Sequence, residues 1–165
     1  PVVELSEAAW DQVQNVNAKG TFLCAQAVAR HMIERGGGGK IVNISSTAGR
    51  LGMPRFAAYC ASKFAVIGFT QSLAHELAEH KINVNAVCPG TTLTERTGYI
   101  AAALNEQDAP TQDATQTMVG SLAEQTPLGR VAEPEDVART VAFLASAESD
   151  YTTGVALLVA GGIQM

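Results

Sequence analysis

Apolar residues recur with two different periods along the chain, and the change of period predicts where helices and strands lie. Between residues 6 and 34 they return every three or four positions, which indicates one long amphipathic helix interrupted at Gly20. The runs at residues 40–46 and 82–88 are short and rich in β-branched side chains, as is typical of buried strands. A second long helix is predicted between them, over residues 56–79.

The rest of the chain continues the alternation. Residues 97–125 are polar and alanine-rich with weak periodicity, Pro134 starts a helix that runs to Ala145, and residues 155–159 form a last strand. The order helix, strand, helix, strand, variable segment, helix, strand predicts an α/β domain with right-handed crossovers and a parallel sheet flanked by helices. Because no linker or repeat divides residues 1–165, we expect a single domain.

Composition supports this fold class and argues against two kinds of partner. Of the 165 residues, 47% are apolar and 16% are charged, which suits a parallel sheet covered by helices on both faces. The net charge of −5 repels phosphate backbones and anionic membrane surfaces, so we expect no nucleic-acid and no membrane partner. No apolar run reaches the roughly 18 residues that a membrane span requires.

Cysteine and histidine side chains show neither a disulfide framework nor a metal site. The cysteines lie in apolar surroundings without C-x-x-C spacing, which predicts free buried thiols in a reducing, cytoplasmic compartment: Cys24, Cys60 and Cys88. The histidines fall beside charged residues on predicted helices and are interpreted as surface positions, so no metal site is predicted: His31, His75 and His80.

One tyrosine and one lysine form the strongest candidate for chemistry. Tyr59 and Lys63 are four residues apart on a predicted helix and therefore share one face of it. An isolated phenol ionises near pH 10, and a neighbouring ammonium group favours the phenolate, which turns the phenol into an acid–base catalyst near neutral pH. Ser46 follows the preceding strand and could hold a substrate oxygen against the phenol.

Four segments in order along the chain resemble the short-chain dehydrogenase/reductase family. They are Asn-Ile-Ser-Ser at 43–46, Tyr-Cys-Ala-Ser-Lys at 59–63, Asn-Ala-Val-Cys-Pro-Gly at 85–90 and Gly-Arg-Val-Ala-Glu-Pro-Glu-Asp-Val-Ala at 129–138. The resemblance extends from about residue 10 to residue 162. It implies the C-terminal part of a Rossmann-like doubly wound sheet, and an oxidoreductase that moves a hydride between NAD or NADP and a secondary alcohol or ketone.

The same resemblance implies roles for individual residues. Tyr59 would transfer the proton, Ser46 would orient the substrate oxygen, and Lys63 would assist Tyr59 and reach the nicotinamide ribose. Asn17 would disturb its helix and hold a water on the proton path. Residues at about 95–127 would form a substrate lid. Contacts to the nicotinamide end and its neighbouring groups are implied for four residues after the second strand: Pro89, Gly90, Thr92 and Thr94.

The glycine-rich turn that holds the cofactor pyrophosphate in this family is missing from the sequence. Residues 36–39 are four glycines, but they follow a helix and precede a strand, whereas a phosphate cradle follows a strand and opens a helix. We interpret them as a connector. We therefore expect these residues to be the C-terminal portion of a longer polypeptide, and a non-catalytic fragment that keeps only oligomerisation surfaces is the alternative.

Finer expectations also come from the resemblance. The segments at 25–32 and 80–85 look like those of polyol and sugar-alcohol dehydrogenases, so a polyol or small hydroxy-ketone is the expected substrate. Acyl-carrier ketoreductases and steroid or terpenoid alcohol dehydrogenases stay open. The two long helices imply a homodimer or homotetramer. The choice between NAD and NADP stays open too, because the selecting residue would follow the second strand of the fold.

Overall fold

A computed structural model describes residues 1–105 and 108–163. Three parallel strands form its sheet in the order β1-β2-β3: β1 is Gly39–Ile44, β2 is Ile82–Pro89 and β3 is Ala156–Val159. Gly39 is opposite Ile82 and Ile44 is opposite Val87, so the first two strands pair along their full common length. The predicted α/β class and the parallel sheet are confirmed, as are all three strands to within one or two residues.

Helices flank the sheet, and the first of them precedes β1. The first long helical stretch consists of α1 (Glu7–Gln14), a π-turn (Asn15–Lys19) and α2 (Gly20–Arg35). Ser6 caps its start by accepting a hydrogen bond from the Ala9 amide. The sequence predicted a single interrupted helix here, and the interruption is the π-turn, which ends just before Gly20.

The other helices follow the predicted order. They are α3 (Ala57–Leu77), α4 (Glu95–Leu104), α5 (Gln112–Gln125) and α6 (Pro134–Ala145). Pro134 occupies the first turn of α6, where a missing amide hydrogen has no cost. Within the expected lid segment the described residues form α4 and α5, and residues 106 and 107 lie outside the described part of the chain.

The connector between α2 and β1 has the backbone that its glycines allow. Gly36, Gly37 and Gly38 all have φ between 69° and 82°. A Cβ atom on Gly38 would lie 2.5 Å from the Lys81 carbonyl oxygen, so this position excludes any side chain. The turn leads from the end of a helix into the start of a strand, which confirms the prediction of a connector.

The core lies between the sheet and the helices α2 and α3. Small side chains of α2 and larger ones of α3 and the strands pack together there: Ala25, Ala29, Ile41, Leu73, Ala74, Leu77, Ile82 and Val84. The cysteine prediction is correct for Cys60 and Cys88, which are buried, and wrong for Cys24, which is exposed on α2. An apolar neighbourhood in sequence does not ensure burial, because in α2 only Ala25 and Ala29 are buried.

Two further expectations concern the surface. All three histidines are half-exposed or exposed, as predicted. Among the described residues, no group of three or more metal-ligating side chains comes together. No helix in the described part of the chain is both long enough and apolar enough to cross a membrane.

Candidate active site

Tyr59 and Lys63 lie in the first two turns of α3, where four-residue spacing places them on one face. The Lys63 Nζ atom is 5.7 Å from the centre of the Tyr59 ring, within the range of a cation–π contact. The same Nζ atom donates a hydrogen bond of 3.1 Å to the carbonyl oxygen of Ile44, the last residue of β1. The ammonium group therefore links the Tyr59 ring to the carboxyl end of β1, an edge strand of the described sheet.

The environment of Lys63 weakens its hold on a proton. Burial lowers the pKa of the Lys63 ammonium below its ordinary value, because the charged form loses hydration. The positive charge of Arg96, in the first turn of α4, lowers it further, while Cys88 acts in the opposite direction. Arg96, which lies in the expected lid segment, thus adds a second cation near this site, and sequence reasoning missed it.

Ser46 lies two residues after β1, at the same end of the sheet as the Ile44 carbonyl. Its side chain is half-buried and accepts a 3.1 Å hydrogen bond from the Ala48 amide, which caps the short 3-10 turn Thr47–Gly49. A hydroxyl that accepts from the backbone keeps its own hydrogen available for donation. The strand end and the capped turn together fix where Ser46 stands relative to Lys63.

Two neighbouring residues support this arrangement, and sequence reasoning assigned neither a role. The Ser45 hydroxyl donates a 2.8 Å hydrogen bond to the Lys63 carbonyl, so the strand end is tied to α3 directly. Cys88 is fully buried at the end of β2, beside Ser45 and the Ser46 amide. Burial raises the pKa of the Cys88 thiol, because the thiolate would lose hydration there.

Asn17 lies in the middle of the π-turn, so it does disturb its helix as the resemblance implied. Its side-chain amide donates a 2.9 Å hydrogen bond to the Ser62 hydroxyl on α3. Its carbonyl oxygen accepts a 2.7 Å hydrogen bond from the Thr21 hydroxyl. The structure therefore connects Asn17 to the residue between Tyr59 and Lys63 on the helix.

The four residues predicted after the second strand follow one another around a bend. Pro89 ends β2 opposite Val159, and the Gly90 amide donates to the Val159 carbonyl. A Cβ atom on Gly90 would lie 3.1 Å from two atoms of Ala160, so the close approach of β2 and β3 favours glycine here. Thr92 bridges to Ala132, and Thr94 caps α4.

A cleft of about 360 Å³ opens beside this bend. Its lining comes from the bend, the segment before α6 and the chain after β3: Gly90, Thr91, Thr126, Leu128, Arg130, Val131, Ala132, Asp136 and residues 158–163. Arg130 and Asp136 close one part of it with two hydrogen bonds of 2.6 and 3.0 Å. Among its described lining residues Gly90 is present, but Ser46, Tyr59 and Lys63 are not. The cleft thus includes only one of the residues predicted to contact the cofactor, Gly90.

The polar atoms at Tyr59 and Lys63 leave capacity for a ligand. The Lys63 ammonium has three N–H donors, and within the described residues it makes one hydrogen bond. The Tyr59 hydroxyl makes none with the part of the chain that the structure describes, although the ring is half-buried between Phe56 and Lys63. This donor set is suited to a molecule that carries hydroxyl or carbonyl oxygens.

Comparisons with known proteins give a consistent result. A family model described as enoyl-(acyl carrier protein) reductase matches residues 1–164. The chain is 43% identical over 164 residues to (3R)-3-hydroxyacyl-CoA dehydrogenase of Homo sapiens. It is 40% identical over 160 residues to 2-dehydro-3-deoxy-D-gluconate 5-dehydrogenase of Escherichia coli strain K12. These matches cover 99% and 97% of this chain.

Solved structures agree with the fold. The aldohexose dehydrogenase of Thermoplasma acidophilum superposes with a TM-score of 0.91 at 32% identity, over 99% of this chain and 62% of that one. The sorbitol-6-phosphate 2-dehydrogenase of Erwinia amylovora superposes with a TM-score of 0.91 at 31% sequence identity, over 100% of this chain and 64% of that one. The chain spans 58% of the length of both curated relatives named above.

Proposed function

Because the chain belongs to the short-chain dehydrogenase/reductase family, we propose that it carries the acid–base residues of an NAD(P)-dependent oxidoreductase acting on a secondary alcohol or ketone. The observation that carries this proposal is the position of the Lys63 ammonium. It lies over the Tyr59 ring and is held by the carboxyl end of β1, two residues before Ser46. In open parallel sheets, ligands bind at the carboxyl ends of the strands.

Tyr59 transfers the proton in this proposal. Its hydroxyl gives a proton to the carbonyl oxygen during reduction and takes one from the alcohol during oxidation. The nearby Lys63 charge stabilises the phenolate that remains after the proton has left. Ser46 donates its free hydroxyl hydrogen to the same substrate oxygen and so holds it against the phenol. General acid–base catalysis of this kind is worth about 10²- to 10⁴-fold in rate.

A dinucleotide fits the donors that these residues leave unused. When bound, a nicotinamide cofactor supplies the hydride acceptor for oxidation and the hydride donor for reduction. The two remaining Lys63 donors are suited to the ribose hydroxyls, and the bend after β2 offers the contacts implied for Pro89, Gly90, Thr92 and Thr94. Asn17 holds the water that continues the proton path from Lys63.

For the substrate we propose a chemical class, and for the assembly we propose a range of subunit numbers. The relatives named above act, by their names, on hydroxyacyl-CoA and sugar-derived alcohols and are not confined to polyol dehydrogenases. We keep a polyol or small hydroxy-ketone as the proposed substrate and a homodimer or homotetramer as the proposed assembly. The alternative of a non-catalytic fragment gains no support from these relatives, all of which are named as dehydrogenases.

Fluorescence titration of the chain with NADH and with NADPH tests whether it binds a nicotinamide dinucleotide. The substitution Tyr59→Phe, which removes the hydroxyl and keeps the ring, tests whether Tyr59 transfers the proton. We expect kcat to fall by about 10²- to 10⁴-fold on acetoin, a 3-hydroxyacyl-CoA or a sugar alcohol, whichever the wild-type chain turns over. Tyr151→Phe is the matched control, because Tyr151 is fully exposed and far along the chain. Near-normal turnover by Tyr59→Phe would refute the assignment.

A further inference from the structure

Ser62 is a fully buried polar residue to which the proposed function assigns no role. Its hydroxyl accepts a 2.9 Å hydrogen bond from the Asn17 side-chain amide. The same hydroxyl donates a 2.7 Å hydrogen bond to the carbonyl oxygen of Tyr59. One oxygen atom thus connects the π-turn to the backbone of the residue that we propose as the proton donor.

The π-turn needs support from outside its own helix. Turns of this type are rare, and they persist where tertiary contacts hold them and are frequent at functional sites. Here the neighbouring support comes from α3 at two places: Asn17 binds Ser62, and the Gln14 side-chain amide donates a 2.9 Å hydrogen bond to the Ala58 carbonyl. Both bonds reach the first turns of α3, on either side of Tyr59.

We propose that Ser62 is a positioning residue that fixes the π-turn against the Tyr59 turn of α3. This inference rests on the proposed function and adds to it. Through its two hydrogen bonds, Ser62 sets the distance between the Asn17 backbone and the backbone that carries Tyr59 and Lys63. Without its hydroxyl, the Asn17 amide loses its acceptor, and the turn is free to relax towards ordinary helical hydrogen bonding.

The consequence for catalysis is a loss of alignment rather than a loss of affinity. Ser62 has no exposed surface and therefore cannot contact a substrate. Displacing Tyr59 and the Asn17 carbonyl changes the geometry of proton transfer, which depends steeply on the separation of the reacting atoms. We expect kcat to fall by roughly tenfold, the effect of one hydrogen bond of ordinary strength, with KM changed less than about twofold.

The experiment compares Ser62→Ala with Ser72→Ala in the full chain. Ser72 lies on the same helix but is exposed, and the one hydrogen bond of its hydroxyl within the described residues goes to Glu76, at 3.3 Å. Amide hydrogen exchange is read over residues 15–21, and kcat and KM are measured in parallel. In Ser62→Ala we expect exchange in this segment to accelerate by about tenfold. In Ser72→Ala we expect exchange, kcat and KM to stay at their wild-type values.

Asn17→Ala removes the same hydrogen bond from its other end and provides a second measurement if Ser62→Ala folds poorly. The two single variants and the double variant should accelerate exchange to a similar extent, because they remove one shared interaction. Additive effects, or unchanged exchange over residues 15–21 in both single variants, would overturn the proposal. So would a Ser62→Ala variant that loses stability while its kcat stays unchanged. Exchange does not require turnover, so failure of the proposed function would leave this test intact.

Discussion

A buried hydrogen bond between β1 and α3 should set the packing of the two elements that carry the candidate site. The Asn43 side-chain amide donates a 2.9 Å hydrogen bond to the Thr70 hydroxyl, and this hydroxyl donates a 2.7 Å bond to the Val66 carbonyl. Asn43 is 7% exposed and Thr70 only 1%. Substituting Thr70→Val keeps the shape of the side chain and removes both hydrogen bonds.

The magnitude follows from what the substitution leaves behind. Valine and threonine are both β-branched and have similar helix propensities, so the helix itself changes little. The Asn43 amide, however, stays buried and loses its acceptor, which costs about 1–3 kcal/mol of folding free energy. The double variant Asn43→Leu with Thr70→Val removes donor and acceptor together and should recover part of this loss, because no polar group is then left unpaired.

Urea unfolding, monitored by circular dichroism, measures the free energy of unfolding of each variant. The dependence of this free energy on urea concentration should be the same in all of them. Thr140→Val is the matched control. Thr140 also donates to the carbonyl four residues earlier in its helix, at 3.4 Å, but it is only partly buried. We expect this control to lose less than about 1 kcal/mol. Equal losses in Thr70→Val and Thr140→Val would refute the argument that the unpaired Asn43 amide carries the cost.

Three other predictions concern positions around the site. Gly49→Ala should lower the thermal midpoint, since its Cβ would lie 2.5 Å from a serine hydroxyl oxygen, whereas Gly68→Ala on α3 meets nothing within 4 Å and should raise it. Asp136→Asn should destabilise the chain at neutral pH. The hydrogen bonds from Arg130 hold the pKa of Asp136 below its ordinary 3.8. The stability that this contact contributes is therefore fully present above pH 3.8 and is lost as the pH falls below it. On acid titration, the unfolding free energies of the wild-type and Asp136→Asn chains should converge. In the active enzyme, the rate should begin to fall at an alkaline pH that is lower than 10.5, because burial lowers the pKa at which Lys63 gives up its charge. A rate that stays constant through pH 10.5 would contradict a catalytic role for the ammonium group.

The regular elements of this fold could be predicted because their signals are local. The β-branched runs at β1 and β2 and the proline at the start of α6 each fix an element within a few residues. The proximity of Tyr59 and Lys63 could be predicted for the same reason, since both lie on one helix. The hydrogen bond from Lys63 to the Ile44 carbonyl could not be predicted in this way, because it depends on how α3 packs on the sheet.

Other features depend on contacts between distant parts of the chain. The bond from Asn17 to Ser62 spans 45 residues, and no local pattern indicates it. Exposure of Cys24 likewise depends on which face of α2 meets the core, and hydrophobic periodicity alone does not identify that face. The contribution of Arg96 to the Lys63 environment requires the bend after β2 to bring α4 back towards α3.

Three of the proposed reacting side chains come from a single continuous stretch of 18 residues, counted from Ser46 to Lys63. The chain therefore builds its acid–base apparatus from neighbours in sequence, while α4 and α5 are contributed by a separate insertion between β2 and α6. On the proposal that this segment covers the substrate, changes in it would alter which molecule is admitted, and those that replace Arg96 would also change the electrostatics at Lys63. Under the same proposal, substrate choice would depend mainly on α4 and α5 and reaction type on the stretch from Ser46 to Lys63, so one could diversify while the other stays constant.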